Sequence, residues 1–263
     1  MGNSCMKTHA VSMTFLLALL LAPIGQAQTR KADLPSGGGE RSRLLDAAGQ
    51  DVVKKTGPHS YEVGGIRVDA GSREIRFPAR VNMNEGLIEV VVCAEGGKLH
   101  ESILVSSIKP IHLHVALLLL GLEPGVNPGW YVPDDPALRL PGWDRPPGDR
   151  VDVFIRRETR DGAQEVRAEA LLKDERTGAC LPRTSWVFTG STLDARGVYG
   201  AHETGSIMTN YHDRLAVIDN ALELGQVDDF TFANTAVIAD VDTPVQVRIV
   251  PVKPQEGEKT HDK

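Results

Sequence analysis

The chain has 263 residues, 41% of them hydrophobic, and a formal net charge of −6. Its positive residues are scattered rather than clustered, which leaves no electrostatic footprint for DNA or RNA, so no nucleic-acid partner is expected. Of 3 cysteines, Cys5 stands in the leading segment; Cys93 and Cys180 alone cannot supply the four thiolates an iron–sulfur cluster ordinarily takes, and no cofactor is expected.

Residues 1–27 read as an export signal. Lys7 precedes the apolar run "TFLLALLLAPIG", and Gly25-Gln26-Ala27 supplies the small-x-small pattern of a cleavage site after Ala27. The run is about a dozen residues, short of the ~20 a bilayer-crossing helix needs. The expectation is an exported protein, periplasmic or secreted, with no membrane span once the signal is removed. Residues 28–57, polar and broken by Gly37-Gly38-Gly39, read as a disordered leader, and residues 253–263 as a disordered tail. Residues 58–252 remain for a single domain, long enough to bury roughly 70% of its unfolded surface.

Within that domain "SYEV" and "IRVD" flank Gly64-Gly65, a two-residue hairpin signal, and "REIRFPARVN" and "LIEVVVCAE" follow as alternating, β-branched strands. Gly96-Gly97 predicts a second hairpin with "KLHESILVSSI" as its return strand. Pro110 then opens a helix, "PIHLHVALLLLG", that Gly121 closes. Its apolar side chains run all the way round, so it should be covered on nearly every side. Residues 123–149 are too rich in proline and glycine for a regular element and read as a long insertion, with Trp130, Tyr131 and Trp143 as anchors or partner contacts. Beyond it "RVDVFIRRE" reads as a strand, Arg160-Asp161-Gly162 as a turn, and "QEVRAEALLKDERTG" as a strand passing into a short helix. "SWVFTGS" is a strand, "GVYGAHETGSIMTNYHD" a hairpin or bent strand pair, "DRLAVIDNALE" a short helix or turn, and "DDFTFANTAVI" and "TPVQVRIVPV" closing strands. The fold class expected is α+β, dominated by antiparallel strands, with one buried apolar helix and the long Pro/Gly-rich insertion.

The candidate chemistry lies around the predicted Gly96-Gly97 turn. A two-residue loop there sets Cys93 opposite His100, with side chains about 5 Å apart. A thiol beside an imidazole can be held as thiolate, the starting point of nucleophilic or redox chemistry. Alternatively Cys93 pairs with Cys180 in an oxidising compartment, or is simply a small buried residue. No metal is expected; the imidazoles a metal would draw on are His100, His112 and His114, with His202 or His212. On a helix, His112 and His114 stand about 200° apart and cannot share an ion. Glu101 falls on the apolar face of the predicted return strand, where a carboxylate needs a partner. Neither Ser102 nor Ser191 lies in a G-x-S-x-G elbow, and "HETGS" lacks the second histidine of H-E-x-x-H.

The runs "GGKLHESILVSSIKPIHLHVALLLLGL", "WVFTGS", "TGSIMTNYHDRLAVIDN" and "TPVQVRIVP" resemble the YdjY-type domain family of bacterial exported proteins, from about Gly64 to Pro251. The resemblance implies no established activity. It marks Lys98, His100, Glu101, Ser102, His112, Ala116, Gly121, Trp186, Thr189, Gly190 and Ser191 as the positions that match the family pattern. Lys98, His100, Glu101, Ser102, His112 and Ser191 are therefore the candidate functional cluster. The function expected is a non-enzymatic binding or accessory module of the cell envelope, acting on an unknown envelope protein or small ligand. The alternative is a thiol-based or metal-dependent enzyme or redox protein using Cys93 with His100 or a histidine cluster.

Overall fold

The computed structural model describes residues 40–49, 51–125 and 148–253. The expected signal, most of the insertion (126–147) and residues 254–263 lie outside the described residues. In chain order the elements are α1 (Glu40–Ala48), β1 (Val53–Lys55), β2 (Ser60–Val63), β3 (Ile66–Asp69), β4 (Glu74–Val81), β5 (Val90–Ala94), β6 (Ser102–Ser106) and α2 (Pro110–Leu119). After the insertion come β7 (Arg150–Thr159), β8 (Gly162–Arg167), β9 (Leu172–Asp174), β10 (Trp186–Phe188), α3 (Gly200–Thr204), β11 (Ser206–Thr209), β12 (Ile218–Asp219), β13 (Thr231–Ala233) and β14 (Pro244–Pro251).

These strands correct the expected α+β class. The domain is mostly β, and its centre is a closed barrel of eight strands in the order β4-β14-β7-β10-β12-β11-β5-β6, with β6 returning to β4. β4 makes closure possible because it is long. Its first half pairs with β3 (Val68↔Ile75) and its second half with β6 (Arg80↔Val105), while β14 lies along its other edge from Ile75↔Ile249 to Arg80↔Pro244. The β1-β2-β3 meander thus becomes an arm branching from the barrel wall, and β8 extends the wall from β7. Closure removes the exposed edges that an open sheet of this width would present. Alternation sets which side is filled: Ile75, Phe77, Val151, Val153, Val247 and Ile249 are all buried.

Helix α2 is present, with buried residues from Pro110 through Leu118. It packs against α1, α3, β2, β3 and β11, so it accompanies a barrel rather than serving as the centre on which a sheet is laid. Gly121 ends it at φ 75, and the amides of Gly121 and Leu122 return to Leu118 O (2.9 Å) and Leu117 O (3.2 Å). That double return is the Schellman stop that glycine favours, because a left-handed residue with a Cβ is strained.

Three further expectations are corrected. The segment read as a leader over 28–57 carries α1, whose Leu44 is buried against the core, and β1, which pairs with β2 through Lys54↔Glu62. The segment 213–223, expected as a short helix or turn, contains strand β12, and the expected hairpin or bent strand pair over 197–213 is helix α3 followed by β11. The third correction bears on the site: Gly96-Gly97 does not make a hairpin. β5 and β6 are parallel, with Cys93 beside Val105 and Ala94 beside Ser106. From Ala94 the chain runs back to the starting end of β5, and a 3-10 turn at Leu99–Glu101 leads it into β6. Because the strand has only 5 residues and an extended residue spans about 3.3 Å, this short crossover has reach to spare. It is held by Lys98 N donating to Thr204 O (3.2 Å), by Asn82 Nδ2 donating to Leu99 O (2.6 Å) and Ser102 O (2.9 Å), and by Ser102 Oγ donating to Lys98 O (2.5 Å). A Cβ on Gly97 would stand 2.5 Å from Thr204 O and 2.7 Å from Cys93 Sγ, so glycine is required by this close crossing rather than by a two-residue turn.

Candidate functional site

The crossover brings Lys98, His100, Glu101 and Ser102 together, and adds Glu89 at the mouth of β5. Lys98 Nζ lies 3.1 Å from Glu89 Oε2, and His100 Nε2 lies 3.4 Å from Glu101 Oε1. Burial raises the Glu89 carboxyl above its ordinary range, and a hydrogen bond with the Glu101 carboxyl raises it further, against the pull of Lys98. Two carboxyls in contact favour holding one proton between them. Burial depresses the Lys98 ammonium, but Glu89, Asp213 and Glu101 outweigh it and leave the ammonium firmly charged. The group is a compact charged clasp over the start of β5 and β6. Glu101 does not lie on an apolar strand face as expected: it stands partly exposed in the 3-10 turn before β6, with His100 as its ion-pair partner and the Glu89 carboxyl hydrogen-bonded to it.

Cys93 is fully buried in the barrel wall. Burial pushes its thiol up, against smaller opposing effects from Ser102 and Lys98, so it is held as the neutral thiol. His100 is 74% exposed on the crossover and turned to Glu101. The expected Cys93–His100 pair is therefore corrected: the parallel register separates them. Cys93 and Cys180 are both free thiols, and the exposed Cys180 accepts a hydrogen bond from Asn234 Nδ2 (3.2 Å).

His112 and Ser191 belong elsewhere. Both of the buried histidines His112 and His114 stand on α2, and the helix turns them to different neighbours. The His112 ring rests on the Gly64 turn, where a Cβ would come within 1.9 Å of its Nδ1. Burial, reinforced by the Lys109 charge, depresses its pKa. His114 Nδ1 is 2.9 Å from the Tyr199 hydroxyl, which donates to Gly190 O (3.0 Å), and its ring meets Phe188 edge-on at 5.0 Å. Burial leaves the Tyr199 hydroxyl far above its usual range. Ser191, at φ 59, accepts from Ala201 N (3.0 Å) and so ties the strained T-G-S turn to α3. His202 faces the Tyr199 ring at 5.4 Å. Among the described residues no three His, Cys, Asp or Glu side chains are placed to hold a metal ion.

A third polar centre escaped the sequence reading. Asp219, fully buried on β12, receives Asn220 N (2.7 Å) and Thr209 Oγ1 (3.1 Å) and lies 3.2 Å from His212 Nδ1. Asn220 Nδ2 donates to Asn210 Oδ1 (3.0 Å), and Asn210 Nδ2 to Ile88 O (3.3 Å). Burial raises the Asp219 carboxyl, opposed chiefly by His212. The signal available was an aspartate directly after "AVI", since a carboxylate in an apolar run must be paired if the run is buried. The network joins β11 to β12 and ties both to Ile88, just before β5.

The described helices include none long and apolar enough to cross a membrane. The YdjY domain matches residues 66–250 of the chain. No curated protein and no solved structure matches it.

Proposed function

The chain belongs to the YdjY family, and on that premise we propose that it works outside the cytoplasm as a non-enzymatic binding or accessory module of the cell envelope. One observation carries this reading. The six candidate side chains do not converge: Lys98, His100, Glu101 and Ser102 lie on the crossover, the His112 ring rests on the Gly64 turn and Ser191 binds the start of α3, and most of these side chains are tied to a neighbouring segment of the scaffold. A catalyst needs its acid, base and nucleophile within reach of one reacting atom, whereas here the same groups clasp β5 to β6 and the T-G-S turn to α3. The apolar leader with its small-x-small end supports export.

The test has two arms. Mass spectrometry of the protein recovered from outside the cytoplasm should give an amino terminus at Gln28, and an uncleaved chain in the cytoplasm overturns export. Affinity capture from a solubilised envelope extract should return a saturable partner; repeated capture that returns nothing specific overturns the binding role.

A further inference from the structure

The arm formed by β2 and β3, with β4 beside it, has one face turned to the core, where Val63, Ile66, Val68 and Ile75 are buried. Strand alternation sends Ser60, Glu62, Arg67, Asp69, Glu74 and Arg76 to the other side. There they line a groove of about 330 Å³, with Thr56 at one end. That volume is at the lower limit of small-ligand sites, which run from roughly 300 to 1,000 Å³.

Register sorts the groove's charges into two rows. Ser60 is opposite Asp69 and Asp69 opposite Glu74, while Arg67 is opposite Arg76 and Arg76 opposite Arg248. Like charges set directly across a sheet work against pairing, so each row calls for counter-charge. Farther along both rows it is supplied internally: Glu74 takes Arg76 Nε on Oε1 (2.5 Å) and Arg248 Nη1 on Oε2 (3.4 Å), and Arg248 also bonds Glu165 through Nε (2.9 Å) and lies over Phe154. At the groove end it is not. Arg67 is exposed and, among the described residues, makes no ion pair, even though Glu62 faces it directly from β2. Asp69, which also lines the groove, is exposed and takes the amides of Gly71 (2.8 Å) and Ser72 (3.0 Å) on Oδ1. Two residues separate the rows along each strand, about 6.8 Å.

We propose that this groove binds a small zwitterion, its anionic end on Arg67 and its cationic end on Asp69, with the paired Arg76 and Glu74 as the groove floor, and that a short peptide of two residues is the ligand class. An extended dipeptide carries its ammonium and carboxylate across the same two-residue repeat that separates the rows. A single amino acid is too short to reach both. The proposal gives the binding role above a ligand class and rests on that reading.

Isothermal titration of the mature full chain at low salt compares L-alanyl-L-alanine with its N-acetyl form, its C-terminal amide and L-alanine. The dipeptide should bind, and removing either charge or shortening it should weaken binding about tenfold or more, because each step deletes a charge-assisted contact. Arg67→Ala should lose binding about tenfold with an unchanged circular dichroism spectrum, Arg67→Lys less, and Glu62→Gln should tighten it by removing a competing carboxylate. Equal heats for all four ligands, no heat for the dipeptide at millimolar concentration, or wild-type affinity in Arg67→Ala would overturn the proposal. Capture of an envelope partner that persists in Arg67→Ala without dipeptide binding in the parent chain sinks the groove alone. Charge-dependent dipeptide binding alongside an empty capture supports the groove and removes the protein-partner role.

Discussion

Replacing Gly64 by alanine tests the relation between the β2-β3 turn and helix α2 most directly. The added Cβ would lie 1.9 Å from His112 Nδ1, 2.5 Å from Cε1 and 2.7 Å from Cγ, so the ring must move by more than 1 Å. His112 is only 8% exposed and has little room to retreat. Two contributions add. Gly64 sits at φ 55, a left-handed conformation that costs an alanine about 1 kcal/mol, and overpacking a filled site costs about 1–3 kcal/mol. The expected loss is about 2–4 kcal/mol, a drop of roughly 4–16 °C in Tm for a domain of this size. His112→Ala removes the ring, so in that background Gly64→Ala should cost only the backbone share, about 1 kcal/mol, giving a coupling of about 1–3 kcal/mol in the double-mutant cycle. Urea unfolding followed by the fluorescence of the fully buried Trp186 reads all four proteins. Equal costs of Gly64→Ala with and without the His112 ring would refute the packing account.

Carboxyl titration by NMR should place Glu89 above the ordinary glutamate range, since burial and the Glu101 hydrogen bond both raise it. A raised folded-state pKa means that Glu89 contributes stability below its unfolded pKa and loses it as pH rises through the folded value; Glu101→Gln should lower the midpoint, and an ordinary midpoint in the parent chain contradicts the shared proton. In a chain truncated to begin at Gln28, a thiol reagent should modify Cys180 in the native protein and reach Cys93 only on unfolding, because one is exposed and the other buried with its thiol pKa raised. Native-state modification of both would sink the assignment. Tyr199→Phe deletes the hydroxyl between His114 Nδ1 and Gly190 O and should cost about 1–3 kcal/mol by leaving buried groups unsatisfied; a neutral effect in urea unfolding would show that the bridge does not hold.

Much of the local structure was legible in neighbouring residues. The Gly64-Gly65 turn pairs Val63 with Ile66, as two-residue hairpin signals do. Pro110 and Gly121 bound α2 at the two places where a helix tolerates them. The turn at Arg160-Asp161-Gly162 joins β7 to β8 through Thr159↔Gly162. The candidate site was only half legible. Lys98, His100, Glu101 and Ser102 are close in sequence and remain close in space, but Glu89, their main partner, lies before the crossover and carried no mark of its role. The Cys93–His100 pairing failed because a Gly-Gly pair signals a turn without stating whether the chain reverses alongside the strand or crosses over it.

The sequence by itself determined the turns, the helix with both its ends, the strand alternation and membership in the YdjY family, since each is encoded within a span of a few residues or in a specific run of them. Only the tertiary structure decided that the strands close into a barrel, that β5 and β6 run parallel, and that Asp219 meets Thr209 and His212 in the interior. Closure of the barrel depends on an edge meeting another far along the chain, as at Arg80↔Pro244, and the other two on the path the chain takes between residues close in sequence, as at Cys93↔Val105 and Thr209–Asp219. Strands as short as the two residues of β12 have too little pattern of their own to name a partner, so the choice falls to the closure of the sheet as a whole.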